Sequence, residues 1–403
     1  MSSDGESRPL PGRPNPAADP SNLIWAPGGP ERIIWLHDPP SQMRAVIVID
    51  TTAFGTSAGG VRMLPDLSLA EIARLARAMT YKNLLLGLRC GGAKAGIWFD
   101  PARQDRAAVM HAFRAAVRPF FKQLLYLPAA DMGTSEEDFG PLRDPKGDLS
   151  STGLLLQAYQ GLPLEDQLSG YGVVESSRVA ADFFGVSLEG ARVAIEGFGK
   201  VGGGAARFFA RAGAQVVAVS SLEDTRCDPR GLDVEMLLDL RREHGDAGLR
   251  FYPRGTLLPS SDLLTLPVEI LVPGARPDAI HGGNVDEIQA RLVVPGANIP
   301  FSADIADRLS ARGVGVVPGF VSSGGGVLAA LADTEGLDAD GVFLSVRERI
   351  GGLTALVLER SRESRTTPFE AALELARERW QSSAPTDRPL ATSSGWDVRK
   401  YDM

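Results

Sequence analysis

The sequence predicts an α/β fold in two domains, the second of them a doubly wound parallel sheet. Three observations lead there. The 403 residues exceed the roughly 100–200 that one domain usually holds. Apolar runs of strand length alternate with amphipathic stretches of helical length through the middle of the chain, the order that lays crossover helices on the faces of a parallel sheet. One of those strands, RVAIE, runs directly into a glycine-rich turn, Gly197-Phe198-Gly199-Lys200-Val201-Gly202, that opens a helix.

The elements follow in order. Residues 1–23 carry Pro9, Pro11, Pro14, Pro16 and Pro20 among polar residues, too little apolar surface to offset chain entropy, so a disordered arm is expected. IIWL at 33–36 and AVIVI at 45–49, separated by Pro39-Pro40-Ser41, predict a hairpin. A helix begins after Ser68, where Ser68 and Glu71 have capping-box spacing and Ile72, Leu75, Met79 and Leu86 mark an apolar stripe. AGIWFD is a strand candidate, and a helix is expected around 105–122. In the second unit a helix near 172–185 precedes RVAIE, a helix follows from Val201, and AQVVAVSS, VEILVPGA, ARLVVPGAN and GVGVVPGF supply further strands. Residues 328–380 read as helical, and a flexible tail is expected over 382–403.

Composition removes several functions. At 44% apolar and 23% charged the chain is neither fibrous nor wholly disordered. With 42 Lys plus Arg against 50 Asp plus Glu, the net charge of −8 does not suit nucleic acid or an anionic membrane as partner. Cys90 and Cys227 stand far apart and the four histidines are scattered, so no metal site is expected and the chain reads as reduced and cytoplasmic. No run of 18 uncharged apolar residues and no apolar leader core is present, which disfavours membrane insertion and secretion.

Four positions carry candidate chemistry. The 197–202 turn has the spacing and the strand-to-helix context of a dinucleotide fingerprint: the first glycine for a tight turn, the second for close approach of a pyrophosphate, the helix start for donors. Lys82 falls on the apolar stripe of its helix, so its ammonium needs a ligand, a carboxylate partner or a snorkelling exit. Lys94 sits among near-minimal side chains in Gly91-Gly92-Ala93-Lys94-Ala95-Gly96, either a surface turn or a dry site that lowers a lysine pKa toward acid–base work. Asp131 ends an apolar segment, where a helix cap is the plain alternative to a catalytic carboxylate.

GGVRM at 59–63, MTYKN at 79–83, GGAKAG at 91–96, ADMGT at 130–134, GFGKVG at 197–202, PGAN at 295–298 and SGGGV at 323–327 come in the order of one family, and over most of residues 24–380 the chain resembles the Glu/Leu/Phe/Val amino-acid dehydrogenases. The stretch up to GGVRM is most similar to the leucine and phenylalanine branch. The resemblance implies an NAD-dependent enzyme that tolerates NADP, forming a 2-oxo acid and ammonia from an L-amino acid, and a homo-oligomer. It implies that Lys82 binds the substrate α-carboxylate, Lys94 activates water on the iminium carbon, and Asp131 exchanges a proton with the amine. Gly60, Met63, Ala58, Val327 and Ala330 would border the substrate, while Gly197 to Gly202, Ser220, Ser221, Ser169 and Asn298 would hold the cofactor.

The expected division is a substrate domain over 24–155, completed by helices over 330–380, and a Rossmann-type dinucleotide domain over 156–329. Glutamate enzymes of the family place a lysine where this chain has Ala58, so an apolar branched or aromatic side chain is expected. Ser220, 23 residues after Gly197, is neutral where NAD enzymes usually present a carboxylate, with Glu223, Asp224 and Arg226 close by. Ser323 and Gly319 stand where the family usually has Asn and Asp, which keeps a weakly catalytic regulatory homologue as one alternative. A hydroxy-acid oxidoreductase is the other, disfavoured because none of the histidines falls in a site motif.

Overall fold

The computed structural model describes residues 29–143 and 153–382. The expected N-terminal arm lies outside these residues, as does the expected tail apart from Ser382, the last residue of a helix. Among the described residues the chain builds two large sheets.

The first comprises β1 (Arg32–Asp38), β2 (Met43–Ile49), β3 (Ser57–Met63), β4 (Gly91–Ile97) and β5 (Leu127–Ala130), in the order β1-β2-β4-β3-β5. β1 and β2 form the expected hairpin; β4 runs antiparallel to β2 and parallel to β3. Two helices cover the faces. α1 (Leu69–Leu85) starts where Ser68 accepts a hydrogen bond from the Glu71 amide at 3.1 Å, but the Glu71 carboxylate is drawn to Arg62 and does not close the box. α2 (Arg106–Lys122) buries Val109, Phe113 and Val117 against Ile47, Met63 and Ile97 on the other face.

β4 begins at Gly91, earlier than AGIWFD suggested, and this decides the setting of Lys94. That lysine is in mid-strand opposite Val48, with a neighbouring strand on each side, so the surface-turn reading does not hold. α1 crosses directly over β4, where Thr80 Oγ1 accepts from the Gly92 amide at 2.9 Å. The small residues that suggested a turn are what let a helix lie this close to a strand.

The second sheet comprises β6 (Arg192–Glu196), β7 (Gln215–Ser220), β8 (Asp224–Cys227), β9 (Thr256–Pro259), β10 (Ile270–Pro273), β11 (Leu292–Val293) and β12 (Gly315–Val316), ordered β9-β8-β7-β6-β10-β11-β12. The five strands from β7 to β12 in that order are parallel, as alternation with helices predicted. β8 and β9 add an antiparallel edge; neither DTRC nor TLLP is long enough to read as a strand. The order reverses beside β6, which opens a crevice at the carboxyl ends of β6 and β10. α3 (Leu168–Phe184), α4 (Lys200–Arg211), α5 (Val234–His244) and α6 (Ala303–Ala311) surround the sheet.

Three C-terminal helices follow: α7 (Gly325–Glu335), α8 (Ala339–Ser364) and α9 (Pro368–Ser382). They tie the second unit back to the first. Arg379 of α9 donates to the carbonyls of Leu84 and Leu85, and Arg349 of α8 donates to that of Leu86 at 2.9 Å. Carbonyls left unpaired at the end of α1 thereby gain cationic donors.

Candidate active site

Between the two sheets lies a cavity of about 1630 Å³, lined from both sides. It exceeds the roughly 300–1,000 Å³ of a pocket for one drug-sized molecule. A cofactor and a substrate can share it.

α1 carries Lys82 into this cavity on its inner face, 4% exposed. Its Nζ donates to the Ser323 hydroxyl and the Ser323 carbonyl, each at 2.9 Å, and to Asn298 Oδ1. Those acceptors come from loops of the second unit, so Lys82 spans the cleft. Burial, and then the neighbouring Lys94 charge, lower its pKa to about 7. Ser323 works here as part of the lysine's cage, since its hydroxyl also donates to the Gly319 carbonyl at 2.6 Å. At Gly319 itself a Cβ would lie 2.2 Å from the Ala297 carbonyl oxygen, so this backbone has no room for the family's aspartate.

Lys94, 2% exposed, ends 3.0 Å from Asp131 Oδ2. Burial lowers its pKa against the opposing pull of Asp131. Burial alone would raise the Asp131 carboxyl, yet Arg62 and Lys94 hold it well below the usual carboxylate range. Arg62 Nε donates to Asp131 at 2.8 Å while its Nη1 donates to Glu71 at 2.7 Å, giving a line of alternating charge. The turn carrying Asp131 is fixed by Thr134, whose hydroxyl accepts from the Asp131 amide at 3.0 Å and donates to the Val61 carbonyl at 2.8 Å. Gly60 makes the meeting feasible: a Cβ there would stand 2.8 Å from Asp131 Cβ and 3.0 Å from Lys94 Nζ. Arg62 lay within the GGVRM motif without an assigned role; the available signal was a charged residue in a strand otherwise made of small and apolar ones.

Ala58, Gly60, Ser169, Asn298, Val327 and Ala330 line the same cavity. Met63 does not. It is fully buried against α2 on the opposite face of the sheet, because it is three positions on from Gly60, an odd step, and side chains alternate along a strand.

The turn from Gly197 to Gly202 lines the other end of the cavity, with α4 beginning at Lys200. A Cβ at Gly202 would lie 1.7 Å from the Gly197 oxygen, whereas one at Gly199 meets nothing within 4 Å. The turn is thus closed below and open above, with a helix N-terminus facing the opening, and these residues fit a dinucleotide pyrophosphate. Ser220 shapes the turn: it is 1% exposed and its Oγ accepts from the Gly197 amide at 3.0 Å. The Lys200 ammonium pairs with Glu165 at 2.9 Å and Asp166 at 3.5 Å. Arg226 is turned away, donating to the Leu249 carbonyl at 2.7 and 2.9 Å, so it is not available to a ribose phosphate. Glu223 and Asp224 both pair with Arg250. Two contributors escaped the sequence reading: Glu196, whose carboxylate accepts from the Gly274 and Ala275 amides at 3.0 Å, and Arg241, a cavity-lining cation whose Nη1 lies 3.4 Å from where a Cβ on Gly203 of α4 would stand.

Two family descriptions match the chain. "Glu/Leu/Phe/Val dehydrogenase, dimerisation domain" covers residues 30–145, and "Glutamate/Leucine/Phenylalanine/Valine dehydrogenase" covers residues 161–379. The chain belongs to this family. It is an NAD(P)-dependent amino-acid dehydrogenase. A glutamate dehydrogenase of Thermotoga maritima is 34% identical over 286 residues, 68% of each chain. An NAD-specific glutamate dehydrogenase of Staphylococcus aureus (strain COL) is 30% identical over 339 residues, 81% of this chain and 78% of the relative; an NADP-specific relative matches as well. The solved structure of a hetero-hexameric glutamate dehydrogenase from Thermus thermophilus, in its Leu-bound form, superposes with a TM-score of 0.75 at 26% identity, covering 88% of this chain and 89% of that one. These relatives are glutamate enzymes, so they lend no support to the expected likeness to the leucine and phenylalanine branch. Among the described residues no helix is long and apolar enough to cross a membrane.

Proposed function

We propose that the enzyme catalyses the reversible oxidative deamination of an L-amino acid with a branched-chain or aromatic side chain to the 2-oxo acid and ammonia. The observation that carries this reading is the pair of buried Lys94 and half-buried Asp131, 3.0 Å apart, in one cavity with Lys82. Residues 24–155 with helices over 330–380 would serve as the substrate domain and 156–329 as the dinucleotide domain. A cytoplasmic homo-oligomer completes the proposal, supported by the match to a dimerisation domain.

Lys82 exchanges its contacts with Asn298 and Ser323 for the substrate α-carboxylate, which offsets the cost of the buried ammonium. The 197–202 turn would hold the pyrophosphate of the dinucleotide, with Ser169 toward the nicotinamide carboxamide, and the bound nicotinamide would supply the hydride acceptor or donor. Neutral Lys94 takes a proton from water as that water attacks the iminium carbon, and burial, by lowering its pKa, favours that neutral form. Asp131 exchanges a proton with the amine. Its proton affinity is weak while Arg62 and Lys94 are both charged, and it rises once Lys94 is neutral, so the pair titrates as a unit.

Ala58, where glutamate enzymes place a lysine, and the small apolar Val327 and Ala330 line the cavity, and without that cation a carboxylate stopping beside them is disfavoured. The test is oxidation of NADH and NADPH by the purified enzyme with ammonium across a panel of 2-oxo acids. Ammonia-dependent turnover of branched or aromatic members is expected. No ammonia-dependent turnover with any of them contradicts the reading.

A further inference from the structure

The cavity does not end at Ala58. Its lining includes Leu127, the β5 partner of Ala58, and also Leu88, Arg89, Leu124 and Leu155. The walls here are apolar. The Thr56 hydroxyl is committed to the Leu124 carbonyl, and burial pushes the Cys90 thiol up to about 12, so it stays neutral. Arg89 is the charge in this region among the described residues, and there it has neither a hydrogen bond nor an ion pair.

Its freedom is unusual within this cavity. Arg62 and Lys94 share Asp131, Lys82 has Asn298 and Ser323, Arg106 has Asp138 and Arg276 has Asp66. Arg241 is likewise without a hydrogen bond, but it borders the dinucleotide end. A half-buried guanidinium facing an apolar recess is a donor set without an acceptor, and a carboxylate matches its planar fork. In the β3–β4 register Ala58 lies opposite Gly92, and Arg89 precedes Gly92 by three residues. At about 3.3 Å per residue for fully extended chain those three residues span at most about 10 Å, a distance shortened by the reach of the arginine. A glutamate side chain, with two methylenes, would end beside Ala58 and short of it.

We propose that Arg89 reads the far end of the substrate side chain, so that the enzyme takes amino acids and 2-oxo acids whose side chain is apolar over several methylenes and ends in a carboxylate beyond the reach of glutamate. This rests on the deamination reading above and adds a tip to the apolar body that reading requires. The family's cation against a distal carboxylate would thus be supplied from a different position and matched to a longer chain.

The probes are 2-oxoheptanoate and 2-oxoheptanedioate, which differ in whether a methyl or a carboxylate ends a chain of four methylenes. Reductive amination is measured for the wild type, Arg89→Met and Arg89→Lys. Arg89→Met is expected to lower kcat/KM for the diacid by about 10- to 100-fold while changing the monoacid by less than about threefold. Arg89→Lys should retain part of the diacid activity, and the monoacid reports that each variant is folded. A diacid-to-monoacid ratio unchanged by Arg89→Met overturns the inference. So does failure to use either probe in an enzyme that turns over a shorter branched 2-oxo acid, an outcome that leaves the deamination reading standing.

Discussion

The wall of the cavity built from β3, β4 and α1 is charged at its centre, whereas the wall at the ends of β6 and β7 offers mainly backbone. On the first, Lys82, Lys94, Asp131, Arg62 and Glu71 are each satisfied by another charged or polar group. On the second, a closed glycine turn, a helix start and the Ser220 hydroxyl set a shape, and Lys200, Glu223 and Asp224 are paired with nearby opposite charges. The difference teaches where single substitutions act. A buried charge removed from a network strands its partners, while a neutral hydroxyl removed from a turn leaves the backbone donors in being.

The sharpest way to break the contrast is Asp131→Asn, which leaves Lys94 without a counter-charge and Arg62 with Glu71 alone. Turnover should fall by about 10²- to 10⁴-fold, the span typical for loss of an acid–base group. Steady-state rates with the dinucleotide saturating check this, and a loss of only a few fold would show that the amine proton travels by another route. Ala58→Lys comes next. Restoring a cation before Gly59-Gly60 should raise the kcat/KM ratio of 2-oxoglutarate to a branched 2-oxo acid by about 10- to 100-fold; an unchanged ratio would mean that side chains do not pass this position.

A pH profile gives a smaller effect. Lys82 must be protonated to hold a carboxylate, and its pKa in the free enzyme is about 7, depressed by burial and then by Lys94. The charged form is therefore half populated near pH 7, complete from about a unit below and lost as pH rises, and kcat/KM for the 2-oxo acid should approach a tenfold fall per unit from about a unit above pH 7 with ammonia saturating. A flat profile from pH 6 to 9 would separate Lys82 from carboxylate binding. The smallest change is expected on the second wall. Arg241→Ala should weaken NADP relative to NAD by about fivefold, the value of a partly exposed ion pair near 1 kcal/mol, read by comparing dissociation constants for the two dinucleotides.

Much of this was legible in the sequence, though unevenly. The parallel strands of the second sheet and the 197–202 turn could be read because period and punctuation are local properties. Lys82 could be read because steps of three and four put an ammonium on an apolar stripe. Lys94 was ambiguous: the same small residues describe a turn or a strand under a close helix, and only the flanking strands and α1 decide. Met63 was misassigned because the motif was taken as a unit, although alternation along β3 puts it on the face opposite Gly60. Arg226 and Ser220 depend on long-range partners, the Leu249 carbonyl and the Gly197 amide, which no local pattern reports.

The central claim is that the charged wall performs the proton chemistry and the backbone wall only holds the dinucleotide. Lys94→Ala tests it most directly when single-turnover rate and dinucleotide affinity are measured on the same preparation. A rate lowered by about 10²- to 10⁴-fold with dinucleotide affinity within about twofold of the wild type is the predicted result. A near-normal rate, or a loss of rate that merely follows a loss of dinucleotide binding, would contradict it.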